Sequence, residues 1–314
     1  MNRRVRVIIL IAVLSFAGFF SDSIFSNQTV VKTVMKGDSI SFLSIKVYGL
    51  YNEEIAEHIK KANPKIRDLN YIKVDQKISF PPLFDEDNQP YRLKASASNA
   101  VITYISGKSF VQRNSRDDWN KVAPNMICIP GDKLKTGENS VVELVLNNSD
   151  VMRLSSNTEL TLAELAEDPE VPEAKVTFSF GRIWTKVKSY IERSGKFEVE
   201  FPTAIAAVQG TVYQAELNPD STANVKVYHG TVRVANRPTP LVKTHLKKGQ
   251  IAPPGQVSAP RQVTMKKWVK IVRDMQKISF GPGKPPGSPE SFSERWSGEW
   301  EKFNRERDAR FESQ

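Results

Sequence analysis

The sequence is poor in the residues that most reactions and metal centres need. Among 314 residues there is one cysteine, Cys128, and there are three histidines, His58, His229 and His245. A single thiol forms no internal disulfide and builds no cysteine zinc cage. Cys128 stands between Ile127 and Ile129, the setting of a buried strand thiol rather than of a nucleophile. The histidines fall in unrelated segments, and nothing in the spacing brings two of them together. A glycine-rich phosphate loop, a His-x-x-x-His pair and a Ser or Cys nucleophile motif are also missing. Glu143 and Glu159 read as solvated carboxylates on the polar face of a strand. The chain is therefore expected to be non-enzymatic, with no cofactor and no metal.

With 39% hydrophobic and 25% charged residues, the composition is that of an ordinary globular protein, neither disordered nor polytopic. The length suggests two domains plus tails, at about 100–200 residues each. Lys and Arg outnumber Asp and Glu by 45 to 35. Nucleic acid is nevertheless not an expected partner, because no aromatic–basic binding motif appears and the N-terminus directs export. There, Arg3, Arg4 and Arg6 lead into the apolar run Val7–Phe20. That run is short for a ~30 Å hydrocarbon core and suits a signal-peptide core. Ser21, Ser23 and Ser26 offer small residues for cleavage. Residues 1–26 thus read as a signal peptide, with an inner-membrane anchor over residues 7–20 as the alternative. Either way the expected location is the periplasm. No cysteine follows the run, so lipoprotein processing is not expected, and only Met1–Arg6 precede it.

Residues 27–84 read as a small α+β module. Lys32–Met35 suits a strand, and Gly37-Asp38-Ser39 supplies a turn and a helix cap. Ile40, Leu43 and Val47 share one helix face ending at Tyr48-Gly49, and Ile55 and Ile59 share another ending at Asn63-Pro64. Ile72–Phe80 returns as a strand and stops at Pro81-Pro82. The ordered set Gly37-Asp38-Ser39-Ile40, Tyr48-Gly49, Ile59, Ala62-Asn63-Pro64 and Val74-Asp75-Gln76-x-Ile78-x-Phe80-Pro81 resembles a LysM domain. That resemblance implies a βααβ fold that binds N-acetylglucosamine polymers such as peptidoglycan or chitin in a shallow groove. Gly37, Asp38, Ser39 and Ile40 would form one wall, and Asn63, Pro64 and Ile66 the other. Two positions depart from the family: Lys32 replaces an aromatic, and Asp75 replaces the turn glycine.

A linker over 85–97 leads to a β-domain over 98–260. Its strands are short and separated by Gly, Asn, Ser and Asp turns. In Val141–Leu162 the apolar residues Leu144, Met152 and Leu160 are spaced by eight, as are Leu146, Leu154 and Leu162. Such a repeat suits a β-solenoid, and meandering hairpins give the same spacing. The chain here resembles the FecR domain. The match runs through Gly107-x-x-x-x-x-Arg113, Trp119, Pro130-Gly131-Asp132-x-Leu134-x-Thr136-Gly137 and Phe180-Gly181-Arg182-Ile183. It continues with Phe197-x-Val199, Gln209-Gly210-Thr211-x-Tyr213, Val225-x-Val227-x-x-Gly230-x-Val232-x-Val234 and Lys248-Gly249-Gln250. The family often has Arg where Gln209 stands. FecR domains are periplasmic, β-rich, non-enzymatic parts of cell-surface signalling proteins, and that is what the resemblance implies here.

The tail divides into a basic amphipathic helix over 261–280, a Pro/Gly linker over 281–289 and a charged amphipathic helix over 290–314. Met265, Trp268, Val269, Val272 and Met275 form the first apolar stripe, and Phe292, Trp296, Trp300 and Phe303 the second. Both are surfaces for docking on the β-domain, an envelope protein or a membrane. The sequence thus describes a mainly β envelope protein that binds peptidoglycan through its module and uses the FecR-like domain as scaffold or sensor. The alternative is a periplasmic component of FecR-type sigma-factor regulation, with the cytoplasmic regulator on another chain.

Overall fold

The computed structural model describes residues 28–83, 99–113, 118–147, 149–165, 173–188, 196–236, 269–283, 285–293 and 298–312. The expected export segment 1–26, the whole of the linker 85–97 and Lys248-Gly249-Gln250 lie outside the described residues, as do Met265, Trp268 and Trp296.

The chain begins with β1 (Val30–Thr33), α1 (Ile40–Tyr48), α2 (Glu53–Ala62) and β2 (Lys77–Phe80), with β1 and β2 antiparallel. Each boundary has a local cause. Ser39 Oγ accepts from the backbone N–H of Phe42 at 3.1 Å and caps α1, which ends at Gly49 in a left-handed conformation. Asn52 caps α2 through a 2.8 Å bond from the Ile55 N–H. The Asn63 amide donates to Ile59 O and Ser79 O and accepts from Ser79 N, so it ties the end of α2 to β2. Ile40, Phe42, Ile55, Ile59, Ile78 and Phe80 fill the centre, and Val101 from the next strand packs in the same cluster.

The next strands are β3 (Ala100–Ser106), β4 (Ser109–Gln112), β5 (Trp119–Lys121), β6 (Ile127–Cys128), β7 (Lys133–Thr136), β8 (Val141–Leu146), β9 (Asp150–Leu154) and β10 (Glu159–Leu165). They are followed by β11 (Glu173–Lys186), β12 (Lys196–Glu200), β13 (Ala204–Leu217), β14 (Ala223–Asn236), β15 (Val269–Val272), β16 (Gln276–Phe280), β17 (Glu290–Ser291) and the helix α3 (Glu299–Glu312). The molecule is mainly β, and β3–β17 form one hydrogen-bonded sheet. Among the described residues β11–β12 is the parallel pair, and every other ladder is antiparallel.

Three strands of 14 residues, β11, β13 and β14, bend midway, and the bend is written in their side-chain phase. In β11 the buried residues are Ala174, Val176 and Phe178, then Ile183; in β13, Ala206 and Val208, then Tyr213 and Ala215. In β14, Val225 and Val227 give way to Val232 and Val234. Each strand switches parity at one point. A period of two allows that only where an extra residue is inserted, as in a β-bulge. Gly181 and Gly230 sit at two of these points with φ of 103° and 89°, a region closed to most side chains. A hydroxyl in the neighbouring strand holds each bend. Thr158 Oγ1 accepts from Arg182 N and donates to Arg182 O, while Thr211 Oγ1 does the same for Thr231. Ser140 Oγ accepts from Lys108 N beside Gly107 in a third version of the device.

Several expectations are corrected. The eight-residue spacing is not solenoid stacking: β8 and β9 form an antiparallel hairpin, Val142 opposite Leu154, and β10 pairs instead with β7 and β11. The helix expected over 261–280 is, where described, the strands β15 and β16 joined by a turn in which Met275 has φ 58°. Val269, Ile271 and Val272 are β-branched, and ladders on β14 decide between two periods that the short segment fits equally. Val272 is consequently core and Val269 lies on an exposed strand. The β-domain therefore continues past residue 260. The last helix begins at Glu299 rather than 290, because Glu290–Ser291 pairs with β16.

Two buried groups show what the core does to ionisation. Burial pushes the Cys128 thiol up to about 12, so it stays a neutral thiol. Burial also pushes the Asp150 carboxyl up to about 7, opposed by the N–H and charge of Lys188. A raised folded pKa gives stability that is full below the ordinary carboxylate range and is lost as pH rises through about 7. Asp150→Asn should therefore be more stable than the parent at pH 8, by on the order of 2 kcal/mol, with the difference vanishing near pH 4. Urea titrations across that range measure it. A methyl group on Gly181 would stand 2.4 Å from Thr158 Oγ1 and 2.5 Å from its Cα, whereas one on Gly283 meets nothing within 4 Å. Gly181→Ala is expected to cost about 2 kcal/mol or more and Gly283→Ala about 1 kcal/mol or less, read as midpoint shifts in the same titration.

Candidate functional site: the seat of the C-terminal helix

Cross-strand register aligns one row of residues over six strands. Tyr104 in β3 lies opposite Glu143 in β8, Glu143 opposite Arg153 in β9, and Arg153 opposite Trp184 in β11. Gln214 in β13 and Lys226 in β14 extend the row. Alternation points these side chains away from the neighbouring core residues Val142, Leu144, Met152 and Ile183. Such a row would normally be solvated. Instead Glu143 and Arg153 are 0% exposed and Trp184 is 1% exposed, because α3 lies across them.

The helix is seated by charge. Glu143 receives Arg153 Nε at 2.6 Å, Arg307 Nε at 3.1 Å, Arg307 Nη2, and the Thr103 hydroxyl at 2.8 Å. Arg153 Nη1 reaches Asp308 Oδ1 at 2.6 Å and the Asn304 carbonyl oxygens at 3.3 Å, and Trp184 Nε1 donates to Asp308 Oδ2 at 3.0 Å. The quartet Glu143, Arg153, Arg307 and Asp308 is neutral in sum. Burial alone would raise the Glu143 pKa, but the two guanidinium groups outweigh it and hold the carboxyl below its usual range. Phe303 packs on Tyr104, and the Arg307 guanidinium lies between the rings of Phe42 and Tyr104 at 4.9 and 4.7 Å.

The same helix holds the N-terminal module. Arg307 Nη1 donates to Gly37 O at 3.0 Å, Arg310 Nη1 donates to Lys36 O at 2.9 Å, and Arg310 pairs with the Asp38 carboxylate. Lys46 Nζ donates to Arg310 O, and Phe311 meets Phe42 edge-on at 4.8 Å. The β-domain adds its own contacts. Ser39 and Ser41 hydroxyls donate to Thr103 O and Ile102 O, and the Asn125 side chain bridges Ser41 N to Leu69 O and Asn70 Oδ1.

The seven residues of the expected glycan groove are therefore placed as follows. Gly37 and Asp38 face α3, Ser39 caps α1 and binds β3, and Ile40 is 0% exposed. Asn63 is spent on β2, Ile66 is buried, and Pro64 is exposed. Arg113 and Asp132, which the FecR-like pattern quotes, meet as an ion pair whose carboxylate also accepts from Ile129 N. The sequence reading missed Glu143 and Arg153. The available signal was a charge of opposite sign inside each of two largely apolar strands, Glu143 in V-V-E-L-V-L and Arg153 in D-V-M-R-L, where Asp150 stands at the strand end. His58 lies beside the Pro82 carbonyl and His229 beside Asp274, while His245 lies outside the described residues; among the described residues no group of acidic, histidine or cysteine side chains suits a metal ion.

Comparison with known families bears on this surface. The model of the family described as "FecR protein" matches residues 132–233. Residues 132–233 are a FecR domain. It spans β7–β14 and contains Glu143, Arg153 and Trp184, so α3 is seated on the FecR domain itself. No curated protein matches the sequence. Two crystal structures of a candidate anti-sigma factor from Parabacteroides distasonis ATCC 8503 are similar at 12% identity with a TM-score of 0.35. The alignment covers 51% of this chain and 59% of that one, so the likeness spans little more than half of that protein. No described helix is long and apolar enough to cross a membrane.

Breaking a buried pair by removing one partner typically costs about 3–5 kcal/mol. Glu143→Gln leaves Arg307 without its buried anion and Arg153 with Asp308 alone, and should destabilise the chain by about that amount at pH 7. The lowered folded pKa gives stability that is present above the ordinary carboxylate range and lost as pH falls through the folded value. The parent should therefore lose more stability in acid than Glu143→Gln does, and the gap narrows on acidification. Denaturant midpoints from pH 7 down to pH 3 check both.

Proposed function

We propose that this protein is a non-enzymatic periplasmic component of cell-surface signal transduction of the FecR type, with its cytoplasmic regulator on another chain, and that α3 is the element whose seating reports the state of the FecR domain. The observation that carries the reading is the coincidence of the FecR domain over 132–233 with the polar seat of α3. A helix held by a neutral set of ion pairs is suited to exchange. When it leaves, its charged groups return to water, whereas an apolar helix would expose an aggregation-prone stripe. FecR proteins are envelope-associated, which fits the basic, apolar export segment at Arg3–Phe20.

A second reading, a peptidoglycan tether through the N-terminal module, draws support from its strand–helix–helix–strand order and its antiparallel β1–β2 pair. In that reading α3 must first leave Gly37 and Asp38, because it occupies that wall.

The relay is tested in cells by comparing transcripts of a strain lacking the protein with strains carrying the parent or Arg307→Ala/Arg310→Ala. Deletion and the double variant should alter the same small set of promoters, served by one sigma factor. Unchanged transcription in both strains sinks the relay. Co-sedimentation of the full chain with purified peptidoglycan tests the tether, and binding that rises in the double variant would favour it.

A further inference from the structure

An open cleft of about 380 Å³ lies in the FecR domain, lined by none of the groups that seat α3. Its walls are the β9–β10 turn at Ser155, Ser156 and Asn157, the β11 bend at Phe180–Arg182, and the start of the β13–β14 turn at Glu216–Pro219. The volume is in the range of small-molecule sites, which begin at about 300 Å³. We propose that this cleft is a binding site for a neutral saccharide unit.

The chemistry of the lining selects that class. Arg182 and Glu216 are the ionisable groups there; they face each other across the β11–β13 ladder and cancel in charge. Neither an anion nor a cation is favoured by such a pair. Their contact is long, 3.5 Å, and each side chain is 39% exposed, so both have capacity for a ligand. Arg182 Nε is buried and has no hydrogen-bond partner. Ser155, Ser156, Asn157 and Asn218 add neutral donors and acceptors. Among these polar groups Phe180 is 40% exposed and Pro219 is exposed as well. A ligand that satisfies many hydrogen bonds while covering an aromatic ring needs hydroxyls at its edge and a flat C–H face, which a pyranose has.

A peptide strand fits less well, because strand addition requires an unpaired edge. Arg182 of β11 pairs with Glu216 of β13, and the ladder with β9 starts one residue later at Ile183–Leu154, so both sides of the strand are taken just beyond the cleft. Arg182 also lies two residues from Trp184 and therefore on the same face of β11 as the seat of α3. Under the relay reading the saccharide would be the input; the binding claim itself stands without that reading.

The full chain is titrated with chitotriose, maltotriose and trialanine under saturation-transfer NMR. Saccharide ring protons should receive saturation, and Phe180→Ala and Glu216→Gln should each weaken binding on the order of tenfold. Both side chains are more than a third exposed, so the variants are expected to keep the parent's circular dichroism. Val269→Ala, at an exposed strand position outside the cleft, should retain the signal. The proposal is overturned if no saccharide responds, if the response survives both substitutions, or if trialanine alone binds. A chitotriose response that survives Phe180→Ala belongs to the N-terminal module and supports the tether reading instead.

Discussion

The Glu143 carboxylate is the point on which the three parts of this protein converge. It sits with no solvent exposure between Arg153 of the same sheet and Arg307 of the last helix. Moving an isolated carboxylate into such a place costs several kcal/mol, which two guanidinium groups offset here through three hydrogen bonds, with the Thr103 hydroxyl adding a fourth. Arg307 in turn holds Gly37 of the N-terminal module and lies between its Phe42 and Tyr104 of the β-domain. One anion thereby fixes helix, sheet and module in register. An apolar interface of the same size would bind about as well but would tolerate sliding, because area has no direction and ion pairs do.

That arrangement depends on the bends in the long strands. Without the parity switch at Gly181, the row containing Trp184 would point into the core and Ile183 would point out. The bulge therefore does two things at once: it keeps the apolar set continuous and it aims the polar row at α3. The Ser and Thr hydroxyls at the bends satisfy the backbone groups that each bulge frees, which is why the bends cost the sheet little.

Local rules carried much of the fold into view. The helix cap at Ser39, the stop at Asn63-Pro64 and the buried setting of Cys128 are legible because each depends on neighbours within a few residues. The segment 269–280 was not legible. Val269 and Val272 suit a helix face as well as a strand, and the partner that decides, β14, is remote in sequence. The site was the least legible of all. A lone Glu in β8 looks solvated until Arg307 arrives from the far end of the chain, and no periodicity announces that meeting. The groove residues illustrate the same limit: Gly37 and Asp38 match a family pattern locally, yet their surroundings are set by α3.

The seating of α3 also sets an order of events for a chain synthesised from its N-terminus. Glu143 and Arg307 are 164 residues apart, and Arg153 and Asp308 are 155 apart. At synthesis rates of roughly 5–20 residues per second, the sheet has its buried acid and base in hand many seconds before their partners exist. During that interval Glu143 and Arg153 have only each other, the Thr103 hydroxyl and water, and the module has nothing holding its first loop from the side of the tail. The contacts that close the seat are thus made by residues that appear long after it, and a chain cut short of Arg307 would carry an open, hydrated seat.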